Sequence, residues 1–226
     1  MTARSIGGVG IVAAFAVLAL ARPALAGPPL LCHPYEIGAA ASLPWQGHDW
    51  WPGRDDYKVA NLVADTQALL TSSTPVIVRM ETLRRATIYA MRDRDVAAQL
   101  LNVITERAYM MERDGRPDAL AWLDAAYLTE ALREVADLAN MSKSTPFDAG
   151  VKAVKGLTAG ADGYALILKS LELRPNDASI EFAAALIAER DRRSAGHPPT
   201  FDEHARKARA GAERDALLAR NLSHIS

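Results

Sequence analysis

Between Asp56 and Leu222 apolar side chains recur every three to four residues, and proline, glycine or a short polar turn cuts each run. That period is the signature of helices with one buried face. Val59, Leu62, Val63, Leu69 and Leu70 mark a first helix from Asp56 to about Thr71. Ser72-Ser73-Thr74-Pro75 ends it, with Thr74 expected as N-cap and Pro75 as first helical residue of a second helix to about Met91. Its inward residues are Val76, Met80, Leu83 and Ala90. A third helix is predicted over Val96 to Met111, forming an antiparallel hairpin with the second. Pro117 opens the longest pattern, Leu120, Leu123, Tyr127, Leu128, Ala131, Val135 and Leu138, with Asp118, Glu130, Arg133, Glu134 and Asp137 largely on the opposite face. The stretch from Asn140 to Ala159 reads as a connecting loop, with a turn possible at Val151 to Leu157. A last helix is expected from Thr200, where Thr200-Phe201-Asp202-Glu203 has capping-box spacing, to Leu222, pairing with the helix that begins at Ala178.

Composition agrees with helices. Residues 27–226 hold 35 Ala against 17 Val plus Ile, and no alternating strand pattern flanked by Asn-Gly or Asp-Gly occurs. The expected class is all-α, six or seven helices stacked as antiparallel hairpins.

The first 26 residues read as a cleavable export signal. Arg4 precedes 16 uncharged residues from Ile6 to Ala21, Pro23 breaks any helix, and Ala24-Leu25-Ala26 supplies small residues before the expected cut. The run is shorter than the roughly 20 apolar residues that span hydrocarbon. Cleavage leaves 24 basic and 27 acidic side chains, a formal charge of −3, on a chain expected in the periplasm or outside the cell with no membrane contact of its own. Such a charge gives no field for a phosphate backbone, so nucleic acid is not an expected partner. One cysteine rules out an intrachain disulfide.

Residues 27–55 differ in character from the helical body, residues 56–226. Five prolines, four glycines and three of the four tryptophans sit there, so no helix can propagate, yet the aromatic content argues for packing onto that body. Trp45, Trp50 and Trp51 could stack a sugar or a peptide, or anchor the segment. Cys32 and His33, with His48, are the candidate metal ligands, and the Cys32 thiol is a candidate nucleophile. One cysteine and scattered histidines fall short of a tight four-ligand zinc set, and a buried or intermolecularly paired Cys32 is the alternative. His197, His204 and His224 read as exposed or capping groups. Asp55/Asp56 and Asp124/Glu130 read as solvated. No Gly-rich phosphate loop, G-x-S-x-G or HExxH is present. No cofactor is expected.

The stretch from Gly163 to Ala188 carries a family likeness. Ser170, Leu171 and Leu173 lead to Pro175-Asn176-Asp177, and Ala185 lies ten positions after the proline. With Gly163, this resembles the junction between two tetratricopeptide repeats, departing from it at Glu181, with Phe182 beside it, and at Ala188, where that pattern has aromatic residues. An earlier pair shares only Ala86, Tyr89 and Ala98. The resemblance implies a short α-solenoid that binds another protein or peptide, or scaffolds one, with Trp50, Trp51 and Tyr164 as candidate contacts. Two other expectations stand beside it. One is a Cys/His metal or thiol enzyme, the other an envelope structural subunit. N-terminal sequencing of the protein exported from a bacterial host is expected to start at Gly27, and an intact Met1 would overturn the export reading.

Overall fold

The computed structural model describes residues 27–47, 49–141, 148–193 and 200–226, and the predicted export signal lies outside them. Among the described residues the fold is all-α, nine α-helices with no strand, more helices than the sequence pattern suggests. They are α1 (Leu62–Leu69), α2 (Val76–Ala90), α3 (Arg94–Arg113), α4 (Ala119–Met141), α5 (Asp148–Val154), α6 (Gly163–Leu173), α7 (Ala178–Arg193), α8 (Thr200–Gly211) and α9 (Ala216–Asn221).

The ends obey local chemistry. α1 starts later than expected, because Asp56 pairs with Arg54 in a turn and a single 3-10 turn at Val59–Asn61 leads into the helix. Thr74 does not cap α2. Pro75 occupies the cap position with ψ 150, while the Thr74 hydroxyl turns back to donate to the Leu69 carbonyl at 2.7 Å. Asp93 advances the start of α3 to Arg94 by accepting from Asp95 N and Val96 N. The expected loop after α4 contains α5, held by tertiary contacts that a seven-residue pattern does not announce. Val154 is buried, Gly150 lies so close to Met91 that a Cβ would stand 2.5 Å from its Cε, and Arg94 donates to the carbonyls of Lys152, Ala153 and Lys155. The last predicted helix divides. α8 ends at Gly211, and Asp215 restarts the chain by capping Leu217 N and Leu218 N of α9. Gly211 is required where α8 meets α7, since a Cβ there would stand 2.2 Å from that of Ala178.

α4 is the centre. It contacts α2, α3, α5, α6 and α7, and Trp122, Leu123, Ala125, Ala126, Tyr127 and Leu128 are shielded from solvent. Three of its acidic side chains, Asp124, Glu130 and Glu134, are buried too. Asp124 pairs with Arg79 at 2.6 Å, Glu130 accepts from Gly163 N at 2.9 Å, and Glu134 accepts from Leu30 N at 2.9 Å. The pair Asp124/Glu130 is therefore not a solvated face, because the partners that bury it arrive from distant parts of the chain. Burial pushes the Asp124 carboxyl up to about 7 despite the Arg79 guanidinium.

Residues 27–47 and 49–57 run along the bundle as an irregular strap. Leu30, Leu31 and Leu43 are fully buried, and several of the strap's backbone groups bond to side chains of α2. Glu81 accepts from Tyr35 N, Arg84 donates to the carbonyls of Leu31 and Trp50, Arg85 donates to that of Leu43, and Tyr89 donates to that of Pro44. Tyr127 adds a 2.7 Å bond to the Leu30 carbonyl. Glu81 also binds Arg84 at 2.7 Å and Arg85 at 2.6 Å. Burial alone would raise the Glu81 carboxyl, but the two guanidiniums outweigh it and hold the pKa below its usual value. Removing one member leaves a buried charge uncompensated. Arg84→Met is expected to cost about 3–5 kcal/mol of unfolding free energy in urea titration. Arg54→Ala, which breaks the exposed pair with Asp56, should shift it by less than about 1 kcal/mol.

Candidate functional site

The sequence-derived candidates do not converge on one place. Cys32 is half-buried in a turn closed by its own N–H donating to the Pro28 carbonyl at 3.0 Å, and its sulfur lies against Gly27, where an added Cβ would approach to 2.9 Å. His33 faces elsewhere, edge-on to His224 with ring centroids 6.2 Å apart. His48, the third residue of that expected set, lies outside the described residues, as does His197. Among the described residues no group of three or more His, Cys, Asp or Glu side chains is arranged to hold a metal. Trp50 and Trp51 are half-buried on the strap with ring centroids 6.0 Å apart, while Trp45 lies across Arg84 at 4.8 Å and meets Tyr89 edge-on at 5.7 Å. Tyr164 belongs to α6 and lines a different feature from any of them.

His224 is not an exposed or capping group. It stacks on Tyr35 with centroids 4.9 Å apart and meets Phe182 edge-on, its Nδ1 buried without a hydrogen-bond partner. Sequence could not show this, because the strap and the C-terminus meet only in the fold, where Asn221 also bonds both N–H and carbonyl of Glu36.

The most developed polar geometry lies among α6, α7 and α8, in an open cleft of about 400 Å³. Leu168, Leu171 and Pro175 form one side, and Tyr164 and His204 meet beneath them. The local sequence builds it. Asn176, at φ +64, turns the chain sharply after α6, and Asp177 caps α7 by accepting from Ser179 N and Ile180 N. Glu181 lies on the first turn of α7 and is only 2% exposed. It accepts from His204 Nδ1 at 2.5 Å and from Lys207 Nζ at 3.2 Å. The Tyr164 hydroxyl is 3.0 Å from His204 Nε2. A carboxylate can only accept, so Nδ1 carries the proton, and in the neutral ring Nε2 accepts from the tyrosine. Carboxylate, imidazole and phenol thus form one oriented chain from the interior to the cleft. Lys207 also binds Glu203 at 3.0 Å, and that bond, with the one to Glu181, holds its ammonium above the usual pKa.

His204 is not at the surface, contrary to expectation. It is 6% exposed because Gly211 and Ala178 let α8 lie against α7, which brings its ring over Glu181. Glu181 and His204 are 23 residues apart, and no local motif joins them. The only signals in the sequence are the small residues that allow the approach. Comparison of the chain with protein-family models, curated proteins and solved structures gives no match.

Burial, reinforced by the His33 ring, lowers the His224 pKa from 6.5 to about 4. The unfolded chain therefore takes up a proton at this residue between pH 6.5 and 4 that the folded chain refuses, and stability falls as pH drops through that window. Asp124 acts oppositely, adding stability as pH falls from about 7. His224→Phe removes only the first effect. Relative to the native protein, the variant is expected to gain about 3 kcal/mol on going from pH 6.5 to 4, read from urea unfolding at both pH values.

Proposed function

We propose that this chain is an exported helical module that binds a segment of another protein or peptide in the cleft among α6, α7 and α8. The observation that carries this reading is the cleft itself, an apolar wall beside a polar floor whose hydrogen bonds are already made. A cavity of about 400 Å³ is within the range of small binding sites, and it admits a few side chains of an extended segment. Leu168 is 38% exposed on its wall, apolar surface that a partner would cover. The floor is fixed by Glu181, His204 and Lys207, so ordering it on binding costs little entropy.

The tetratricopeptide resemblance supports the same reading. Its proline and Asn/Asp pair fall at the turn from α6 to α7, and its small residues Gly163 and Ser170 lie against α4. By analogy with that family the module presents a groove rather than a reaction centre. Within this proposal Tyr164 is the contact residue, and Trp50 and Trp51 are anchors of the strap. Export rests on the character of residues 1–26.

Titration of the protein against an immobilised array of nonapeptides tests the reading. Bound peptides are expected to lose at least tenfold in affinity with Leu168→Asp and to be unaffected by Trp51→Ala. Peptides that are released by the tryptophan change and not by the leucine change would move the site to the strap.

A further inference from the structure

We propose that the segment received in this cleft carries a basic side chain, lysine or arginine, whose charge settles at the acidic rim while its stem lies on the leucines. The inference rests on the binding reading above and goes on to name the partner's chemistry. Three carboxylates and one ammonium line the cleft, those of Glu172, Glu181, Glu203 and Lys207. The ammonium is already committed, since Lys207 binds Glu181 at 3.2 Å and Glu203 at 3.0 Å. Glu172 is different. It is exposed at the mouth and takes no hydrogen bond or ion pair among the described residues.

Two further features favour a cation. The cleft runs along α6 from Tyr164 through Leu168, Leu171 and Glu172 to the turn at Asn176, where α6 presents the negative end of its dipole. Tyr164 also lines the cleft with an aromatic ring, and a ring face attracts ammonium or guanidinium groups. The positive ends of α7 and α8 also border the cleft, but Asp177 and Glu181 offset the first and Asp202 and Glu203 the second. An acidic segment would bring its carboxylate against Glu172 and gain only a lysine that would have to leave existing partners. The long aliphatic stem of lysine or arginine matches the wall of Leu168, Leu171 and Pro175, with the charge left near water.

A central-position scan of array-selected nonapeptides decides between the two charges. Each peptide is made with Lys, Arg, acetyl-lysine, norleucine or Glu at its scanned position, and binding is measured by fluorescence anisotropy at 50 and 300 mM salt. Lys and Arg peptides are expected to bind at least tenfold tighter than acetyl-lysine, norleucine or Glu peptides at low salt, with the advantage shrinking at high salt. Glu172→Gln should remove most of that advantage and Glu172→Lys should reverse it. Glu172 is exposed and unpartnered, so both variants are expected to fold, checked by unchanged circular dichroism and urea midpoint. Binding that Leu168→Asp abolishes but that shows no preference for a basic residue, or a preference that Glu172→Lys leaves intact, overturns this inference and leaves the binding module standing. Absence of binding by every array peptide overturns both.

Discussion

A carboxylate and a guanidinium one helical turn apart on α2, Glu81 and Arg84, are both closed off from water, and the packing around them depends on keeping that pair satisfied. Neither could remain charged in the interior without full hydrogen bonding. The pair alone does not supply it. The remaining valences go to Arg85 and to the backbone of the strap, through Tyr35 N and the carbonyls of Leu31 and Trp50. The strap has its own reason to accept, because its prolines prevent it from pairing its peptide groups in a helix. Each part supplies the partners the other lacks, and Leu30, Leu31 and Leu43 add apolar burial to the same contact.

The same logic is repeated at the other end of the bundle on a smaller scale. Glu181 is buried by α8 and satisfied by His204 and Lys207, and that arrangement carries the Tyr164 hydroxyl into position. The difference lies in the partners. Glu81 is held by two guanidiniums and the strap's backbone, with Tyr35, Phe182 and His224 packed together nearby. Glu181 is held by an imidazole and an ammonium, in a cleft with a leucine exposed on its wall and a carboxylate unmatched at its mouth.

How far this is legible in the chain depends on the range of the interactions concerned. The helical class, the extents of α2 and α4 to within a few residues, and the turn from α6 to α7 can be read because period, proline and glycine act over one or two turns. The caps at Asp93 and Asp215 act over the same distance, but the apolar pattern alone does not reveal their effect on helix starts. Asp124, Glu130 and Glu134 read as a wet face because charge within one helix says nothing of an arginine or a backbone N–H arriving from elsewhere. His204 and His224 are misplaced by sequence for the same reason. Of the candidate binding residues, Tyr164 is the one that lines the cleft, and no sequence signal singles out Glu181, His204 or Glu172 as members of it.

The sequence by itself determined an all-α chain, where its main helices run and the irregular character of residues 27–55, since these result from backbone chemistry and the spacing of apolar side chains along a single segment. Only the tertiary structure decided which charged residues are buried, that α5 forms, that the strap meets the C-terminus, and that a phenol, an imidazole and a carboxylate share one cleft. Those outcomes require groups tens to more than a hundred residues apart to meet, as Glu134 meets Leu30 and His204 meets Glu181, and no local period encodes such a meeting.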